Sequence, residues 1–345
     1  MALYSNIVGE LLGRLSEYFV INSSRCVRVR HKAAQCSACM DVCSADAITI
    51  TAAGGRVLVD WSRCSDCGKC HAACGNGVFS LRKAVRDQLF ASAAAQIGRH
   101  DKVVLSCRQS PHAQHAAYSA VTLACFNRMI LVRLVAMGAK NIVLLKGECS
   151  TCGTPCEDII CKEIDTVVSI VSLGARETSI SLADTFEAPR ERNDAIGRNS
   201  KQENGKPASR REFFGLIKNR ALASIGSGIH YFTESSVDNN KDILDAGNSN
   251  VSREAYLYDL KTIGGETLLG KMVTEGLVNV VAIDREKCRL CGICSRMCPN
   301  CAFTLDYETV KGREKATDIH MNNILCTGCG LCRISCPSKA ITVRP

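Results

Sequence analysis

The sequence predicts an α+β chain of several domains, two small cysteine-rich units flanking a small α/β domain built on a parallel sheet. Three observations carry this. Cysteine supplies 23 of 345 residues, mostly in tight runs within residues 26–80 and 280–345. From residue 102 onward, short apolar runs alternate with helical stretches, the pattern of a parallel sheet. Aromatic content is only 5%, with the single tryptophan Trp61, so large apolar side chains alone do not hold the small units together, and bound metal is expected to contribute.

In chain order, apolar side chains at 3, 4, 7, 8, 11, 12, 15, 18 and 19 have helical spacing with a wide stripe, and predict an N-terminal amphipathic helix within residues 1–25 that packs on its own domain. Met1–Asn6 carries no basic stretch, and Glu10, Arg14 and Glu17 interrupt the apolar residues that follow. No run approaches the roughly 18 apolar residues of a membrane span. The cysteines are odd in number, and neighbours two or three residues apart rarely satisfy disulfide geometry. The chain therefore reads as cytoplasmic, reduced and metal-loaded.

Residues 26–80 form the first cysteine-rich unit, and 81–98 read as a helix leaving it. Residues 81–185 are expected to be the α/β domain, with strands at Lys102–Cys107, Ala120–Cys125 and Asn141–Lys146 and a helix over Arg128–Ala139. Residues 186–210 are polar, charged and non-periodic, as a flexible linker should be. A mixed helical region is expected at 211–279, and the second cysteine-rich unit at 280–345.

That last unit contains Cys288-x2-Cys291-x2-Cys294-x3-Cys298-Pro299, then Cys326-x2-Cys329-x2-Cys332-x3-Cys336-Pro337. It resembles the bacterial two-[4Fe-4S] ferredoxin family, in which three close cysteines wrap one cluster and the fourth ligates the other. The resemblance implies Cys288, Cys291, Cys294 and Cys336 for one [4Fe-4S] cluster, and Cys326, Cys329, Cys332 and Cys298 for the second. Zinc ribbons use separated CxxC pairs instead of this eight-cysteine doublet.

The N-terminal unit is a divergent copy, which makes the expected architecture two ferredoxin-like units around the α/β domain. Its second run, Cys64-x2-Cys67-x2-Cys70-x3-Cys74, is intact, with Gly75 in place of proline. Its first run, Cys36-x2-Cys39-x3-Cys43, has Ala33 where a leading cysteine would stand. The resemblance then implies Cys64, Cys67, Cys70 and Cys43 for one cluster. Cys26 joins Cys36, Cys39 and Cys74 for the other, or a [3Fe-4S] cluster forms on the last three. Oxidised clusters carrying about −2 each would nearly neutralise the formal charge of +9, so the basic balance does not argue for a nucleic-acid partner.

In the middle domain Cys107 and Cys125 end predicted strands, and Cys149 and Cys152 follow the third. Carboxyl ends of parallel strands form the edge where ligands bind, so these four thiols are expected to converge on a metal site, with Cys156 as a substitute for Cys152. Residues 102–155, through these cysteines and the Gly138-Ala139 step, resemble the delta subunit of methyl-viologen-reducing hydrogenases. That family passes electrons through an iron–sulfur centre beside heterodisulfide reductase. With Cys107 alone at the first position, a fifth cluster of [2Fe-2S] or [4Fe-4S] type, or zinc, is open. Cys161 and Cys301 read as buried thiols, and His71 and His112 as supporting or surface residues.

Two further patterns are set aside. Cys294-x3-Cys298-x2-Cys301 matches the spacing of radical enzymes that use S-adenosylmethionine, but Cys288 and Cys291 account for it better. Ser209-Arg210-Arg211-Glu212-Phe213-Phe214 resembles a twin-arginine signal but lies mid-chain. No GxGxxG follows a strand, so neither flavin nor nicotinamide binding is supported. The leading expectation is a polyferredoxin that relays single electrons between a catalytic partner and another carrier. The partner would be a hydrogenase, a formate dehydrogenase or a heterodisulfide reductase-like enzyme. The alternative is a catalytic oxidoreductase with a site-differentiated cluster in the middle domain.

Overall fold

The computed structural model describes residues 16, 18–51, 55–186, 250–310 and 312–344. Residues 1–15, most of the expected N-terminal helix, lie outside the described residues. So do 187–249, which take in the expected linker and the start of the mixed helical region.

Residues 19–21 correct the predicted helix: Phe19–Ile21 is strand β1. The Ser16 hydroxyl accepts the backbone N–H groups of Tyr18 and Phe19, and Phe19–Ile21 pairs antiparallel with a later strand. Neighbouring apolar residues here satisfy a strand and a core together, and that pairing overrides local periodicity. A 3-10 turn at Ser23–Arg25 follows, capped by the Asn22 side chain, again where the helix was expected to end.

Two four-residue helices, α1 (Val27–Arg30) and α2 (Ala38–Asp41), lead into the hairpin of β2 (Ile48–Ile50) and β3 (Val57–Val59). Helix α3 (Lys69–Ala73) precedes β4 (Phe79–Leu81), the partner of β1. Helix α4 (Lys83–His100) buries Leu89, Ala93 and Ile97, one stripe at four-residue spacing.

The α/β layer comprises β5 (Lys102–Cys107), β6 (Tyr118–Ala120), helix α5 (Arg128–Ala136), β7 (Asn141–Leu145), helix α6 (Glu157–Leu173) and β8 (Ser179–Ala183). Its four strands are parallel in the order β6-β5-β7-β8. Val103, Val104, Leu105 and Ser106 are all buried in succession, as expected of a parallel strand covered on both faces. The predicted strand Ala120–Cys125 is corrected. Its strand ends at Ala120, and the Thr122 hydroxyl takes the Ala124 N–H to start a 3-10 turn at Leu123–Cys125. Buried apolar residues at 121–125 imitate a strand in sequence, but the threonine cap bends them.

Element α7 (Asn250–Thr274), two helical segments broken at Gly265 by a left-handed φ of 63°, packs on α5 and α6, where Arg133 pairs with Asp259 at 2.6 Å. The described part of the expected mixed helical region thus belongs to the α/β core. The C-terminal unit runs β9 (Val280–Ile283), α8 (Ile293–Met297), a long hairpin of β10 (Phe303–Val310) and β11 (Arg313–Met321), α9 (Leu331–Ser335) and β12 (Ile341–Arg344). β12 closes antiparallel on β9. Residues 18–81 follow the same order: a strand, a cysteine loop, a hairpin, a second cysteine loop and a closing strand.

Candidate metal centres

Three of the four ferredoxin-type runs share one backbone form. The residues two and four after the leading cysteine have positive φ: Asp66 (54°) and Gly68 (78°), Leu290 (52°) and Gly292 (70°), Gly328 (68°) and Gly330 (70°). The second of each pair caps the short helix that carries the third cysteine, Cys70, Cys294 or Cys332. All four runs share a second feature. Three residues after the last cysteine φ is again positive, at Asp46, Gly77, Cys301 and Lys339. That turn aims the next N–H at sulfur: Ala47 donates to Cys43 Sγ, Ala302 to Cys298 Sγ and Ala340 to Cys336 Sγ, each at 3.4 Å. Val78 N–H does the same for Cys74. Such bonds stabilise thiolates and tune a metal bound to them.

Cys43, Cys64, Cys67 and Cys70 line one cavity of about 520 Å³, with Phe19, Trp61 and Phe79 in its wall. Burial first, then Cys67, Cys64, Cys39 and Cys43, pushes the Cys70 thiol up. The Cys39 thiol is pushed up to about 12 by burial, then by Cys74, Cys26 and Cys36. The structure thus brings Cys26 beside the three other thiols of the implied set, at the N-cap of α1. Cys332 is likewise pushed up to about 12, by burial and then by Cys329, Cys326 and Cys298. Burial raises Cys294 most, with Cys288 and Cys291 as its neighbouring thiols. Cys336 is lowered: burial pushes it up, but the Ser338 hydroxyl and the N–H groups of Ala340, Ser338 and Lys339 outweigh it.

Thiols that raise one another and are desolvated together ionise only with a positive load among them, which iron supplies. The donor set and the N–H groups on sulfur fit iron–sulfur clusters, and at the Cys43, Cys64, Cys67 and Cys70 group so does the cavity. Among the described residues no three His, Cys, Asp or Glu side chains close in far enough to hold a single metal ion.

The middle site sits where the sheet order reverses. From β5 the chain goes to β6 on one side and then to β7 on the other, leaving a crevice at the carboxyl ends of β5 and β7. A cavity of about 400 Å³ opens there, lined by Cys107, Cys149, Cys152 and Cys156 together with Lys146, Glu148 and Glu157. Gly147 permits it: a Cβ there would meet the Gln109 backbone at 2.8 Å. Cys156, expected only as a substitute, lines the cavity beside Cys152, because it caps α6 and starts the helix at the cavity wall. Cys125 does not line it. The 3-10 turn carries Cys125 to the N-terminal unit, where its thiol faces the Cys67 carbonyl at 3.8 Å and burial pushes it up to about 12.

Cys161 lies half-buried on α6. Cys301 is exposed rather than buried, since it occupies the positive-φ turn after Cys298. His71 Nδ1 is 2.9 Å from the Phe79 carbonyl oxygen, its ring is near Phe19, and burial lowers its pKa. His112 lies by His115. Neither lines a thiol cavity.

Two junctions join these sites, and the sequence did not reveal them. The Thr122 hydroxyl donates to the Cys67 carbonyl at 2.6 Å, tying the middle-domain turn to the Cys64–Cys74 loop. At the second junction Asn76 Oδ1 accepts from Thr327 Oγ1 at 2.7 Å and Asn300 Nδ2 at 3.1 Å. That places the loop after Cys74 against those of Cys298 and Cys326.

No curated protein and no solved structure matches the chain significantly. Among the described residues no helix is long and apolar enough to cross a membrane. Residues 287–340 match the family of 4Fe-4S dicluster domains, which supports a ferredoxin-like iron–sulfur unit in the C-terminal part of this chain and a role in electron transfer.

Proposed function

We propose that the chain is a polyferredoxin-type electron carrier, with [4Fe-4S] clusters on both terminal units and a fifth iron–sulfur centre in the α/β domain. The ligand sets are Cys26, Cys36, Cys39 and Cys74; Cys43, Cys64, Cys67 and Cys70; Cys298, Cys326, Cys329 and Cys332; and Cys288, Cys291, Cys294 and Cys336. The middle centre is assigned to Cys107, Cys149, Cys152 and Cys156, and Cys125 serves as packing between that centre and the nearest cluster loop.

The observation that supports this reading best is the succession of contacts. The middle cavity adjoins Cys125, which touches the Cys67 loop. Cys70 and Cys39 then adjoin across the N-terminal unit, and the loop after Cys74 meets Thr327 and Asn300 through Asn76. Electrons would pass along this row one at a time, with burial and N–H bonds to sulfur setting each potential. We assign the ends of the row to a catalytic oxidoreductase of hydrogenase, formate dehydrogenase or heterodisulfide reductase-like type and to a second carrier, in a reducing cytoplasm. Anaerobically prepared full chain should contain about sixteen irons with matching sulfide on the terminal units, and more with the middle centre. Colourless or zinc-only protein refutes the reading.

A further inference from the structure

A buried cation needs a counter-charge, and among the described residues neither of two guanidiniums at the seam between the terminal units pairs with a carboxylate. Arg25 is 5% exposed. Its Nε donates to the Asn76 carbonyl at 2.5 Å and its Nη2 to Asn300 Oδ1 at 2.7 Å. Both acceptors are neutral. Arg253, from α7, donates Nη2 to the Gly75 carbonyl at 2.9 Å and lies 5.8 Å from the Tyr256 ring centroid. Its Nε is buried without a hydrogen-bond partner. Among the described residues neither group bonds to a carboxylate, and their strongest charged influences include other cations: Arg253 and Arg30 on Arg25, and Arg128 on Arg253.

The acidic groups facing the pair are chiefly thiols. Cys74 acts on both arginines, Cys301 on Arg25 and Cys326 on Arg253, where the Tyr256 phenol also contributes. With neutral thiols, the buried charge of Arg25 would sit uncompensated beside a second, half-buried cation, at a cost. With thiolates gathered around iron and sulfide, each cluster is anionic and opposite in sign to the two cations. Asn76, Asn300 and Thr327 keep the guanidinium of Arg25 in place without neutralising it.

Resting on the reading of these loops as cluster sites, we propose that Arg25 and Arg253 are the shared counter-charge of the two clusters that meet at this seam, held by Cys74 and its partners and by Cys326 and its partners, and that they raise both reduction potentials. An added electron makes a cluster more negative, so a nearby fixed cation favours the reduced form.

The test is an EPR-monitored redox titration of the anaerobic full chain, with iron and sulfide measured on the same samples. Arg25→Gln keeps hydrogen-bond donors but removes the charge; Arg25→Lys keeps the charge. We expect Arg25→Gln and Arg253→Gln each to shift two of the potentials downward by a tenfold or larger change in the reduction equilibrium, about 59 mV for one electron, with the others unmoved. Arg25→Lys should remain near the parent. Full iron content with unchanged potentials in the glutamine variants overturns the proposal, as does an equal shift in Arg25→Lys, which would assign the effect to geometry. If Arg25→Gln does not accumulate, Arg253→Gln decides by the same criterion. A parent chain without iron instead overturns the cluster reading itself.

Discussion

Gly68 lies where the middle domain packs on the Cys64–Cys74 loop, and replacing it by alanine tests that contact. Its φ is +78°, and an added Cβ would lie 2.6 Å from Cys125 Sγ, well inside van der Waals contact. The left-handed backbone costs an alanine about 1–2 kcal/mol, and overpacking adds about 1–3 kcal/mol. Gly68→Ala should therefore destabilise the loop by about 2–5 kcal/mol. Only the second part involves the Cys125 sulfur, so Cys125→Ala in the same chain should restore up to about 1–3 kcal/mol and leave the backbone strain and the approach to the Cys125 N and Cα at 3.1 and 3.2 Å. Trp61 lines the cavity of Cys43, Cys64, Cys67 and Cys70, so its fluorescence in urea reports this loop, and iron release gives an independent reading. A double-mutant cycle with strictly additive effects would show that turn and loop do not touch, and would break the proposed route from the middle centre.

Three further outcomes follow from the same geometry. Cys156→Ser should remove the middle centre while Cys125→Ser retains it, read by metal analysis and the visible spectrum of the full chain; the reverse pattern refutes the assignment. Asp259→Ala strips a buried carboxylate, 4% exposed, from Arg133, and should cost about 3–5 kcal/mol in denaturant unfolding; a loss below 1 kcal/mol would show that α7 does not depend on the pair. His320 Nε2 lies 2.8 Å from Asp306 Oδ2 across the β10–β11 hairpin, and its pKa is raised first by that hydrogen bond. The bond's stabilisation is fully present below the unfolded value, near 6.5, and is lost as pH rises through the higher folded value. NMR titration should show the raised pKa and its fall in Asp306→Asn, where Asp318 still acts on the ring.

Legibility in the sequence followed the range of the interaction that decided each feature. The repeated cysteine spacing is local, and the loops around Cys64–Cys74, Cys288–Cys298 and Cys326–Cys336 repeat the same backbone turns. β5 and β7 were readable because three or four apolar residues in succession leave little alternative in a sheet covered on both faces. Cys125 was misplaced because one threonine hydroxyl, rather than hydrophobicity, ends the strand before it. The Pro155-Cys156-Glu157-Asp158 step carried a helix-start signal that would have set Cys156 at the cavity wall. The seam was not readable: Arg25 contacts Asn76 and Asn300 across 51 and 275 residues, and no periodicity marks asparagines chosen for such contacts.

The one irregular run also explains how the cation reaches the seam. Cysteine is absent at position 33, and the first loop lacks the paired positive-φ turns of the other three. In the proposed ligand set its missing thiol comes from Cys26, which both follows the 3-10 turn Ser23–Arg25 and caps α1. Arg25 is the adjacent residue, so the turn that presents Cys26 to its cluster also presents the guanidinium to Asn76 and Asn300. A leading cysteine at position 33, within a regular wrapping loop, would release residues 23–26 from this geometry and leave Arg25 with no reason to be buried. The departure from the ferredoxin repeat and the charge between the two units are therefore linked, since neighbouring residues of one short turn supply both.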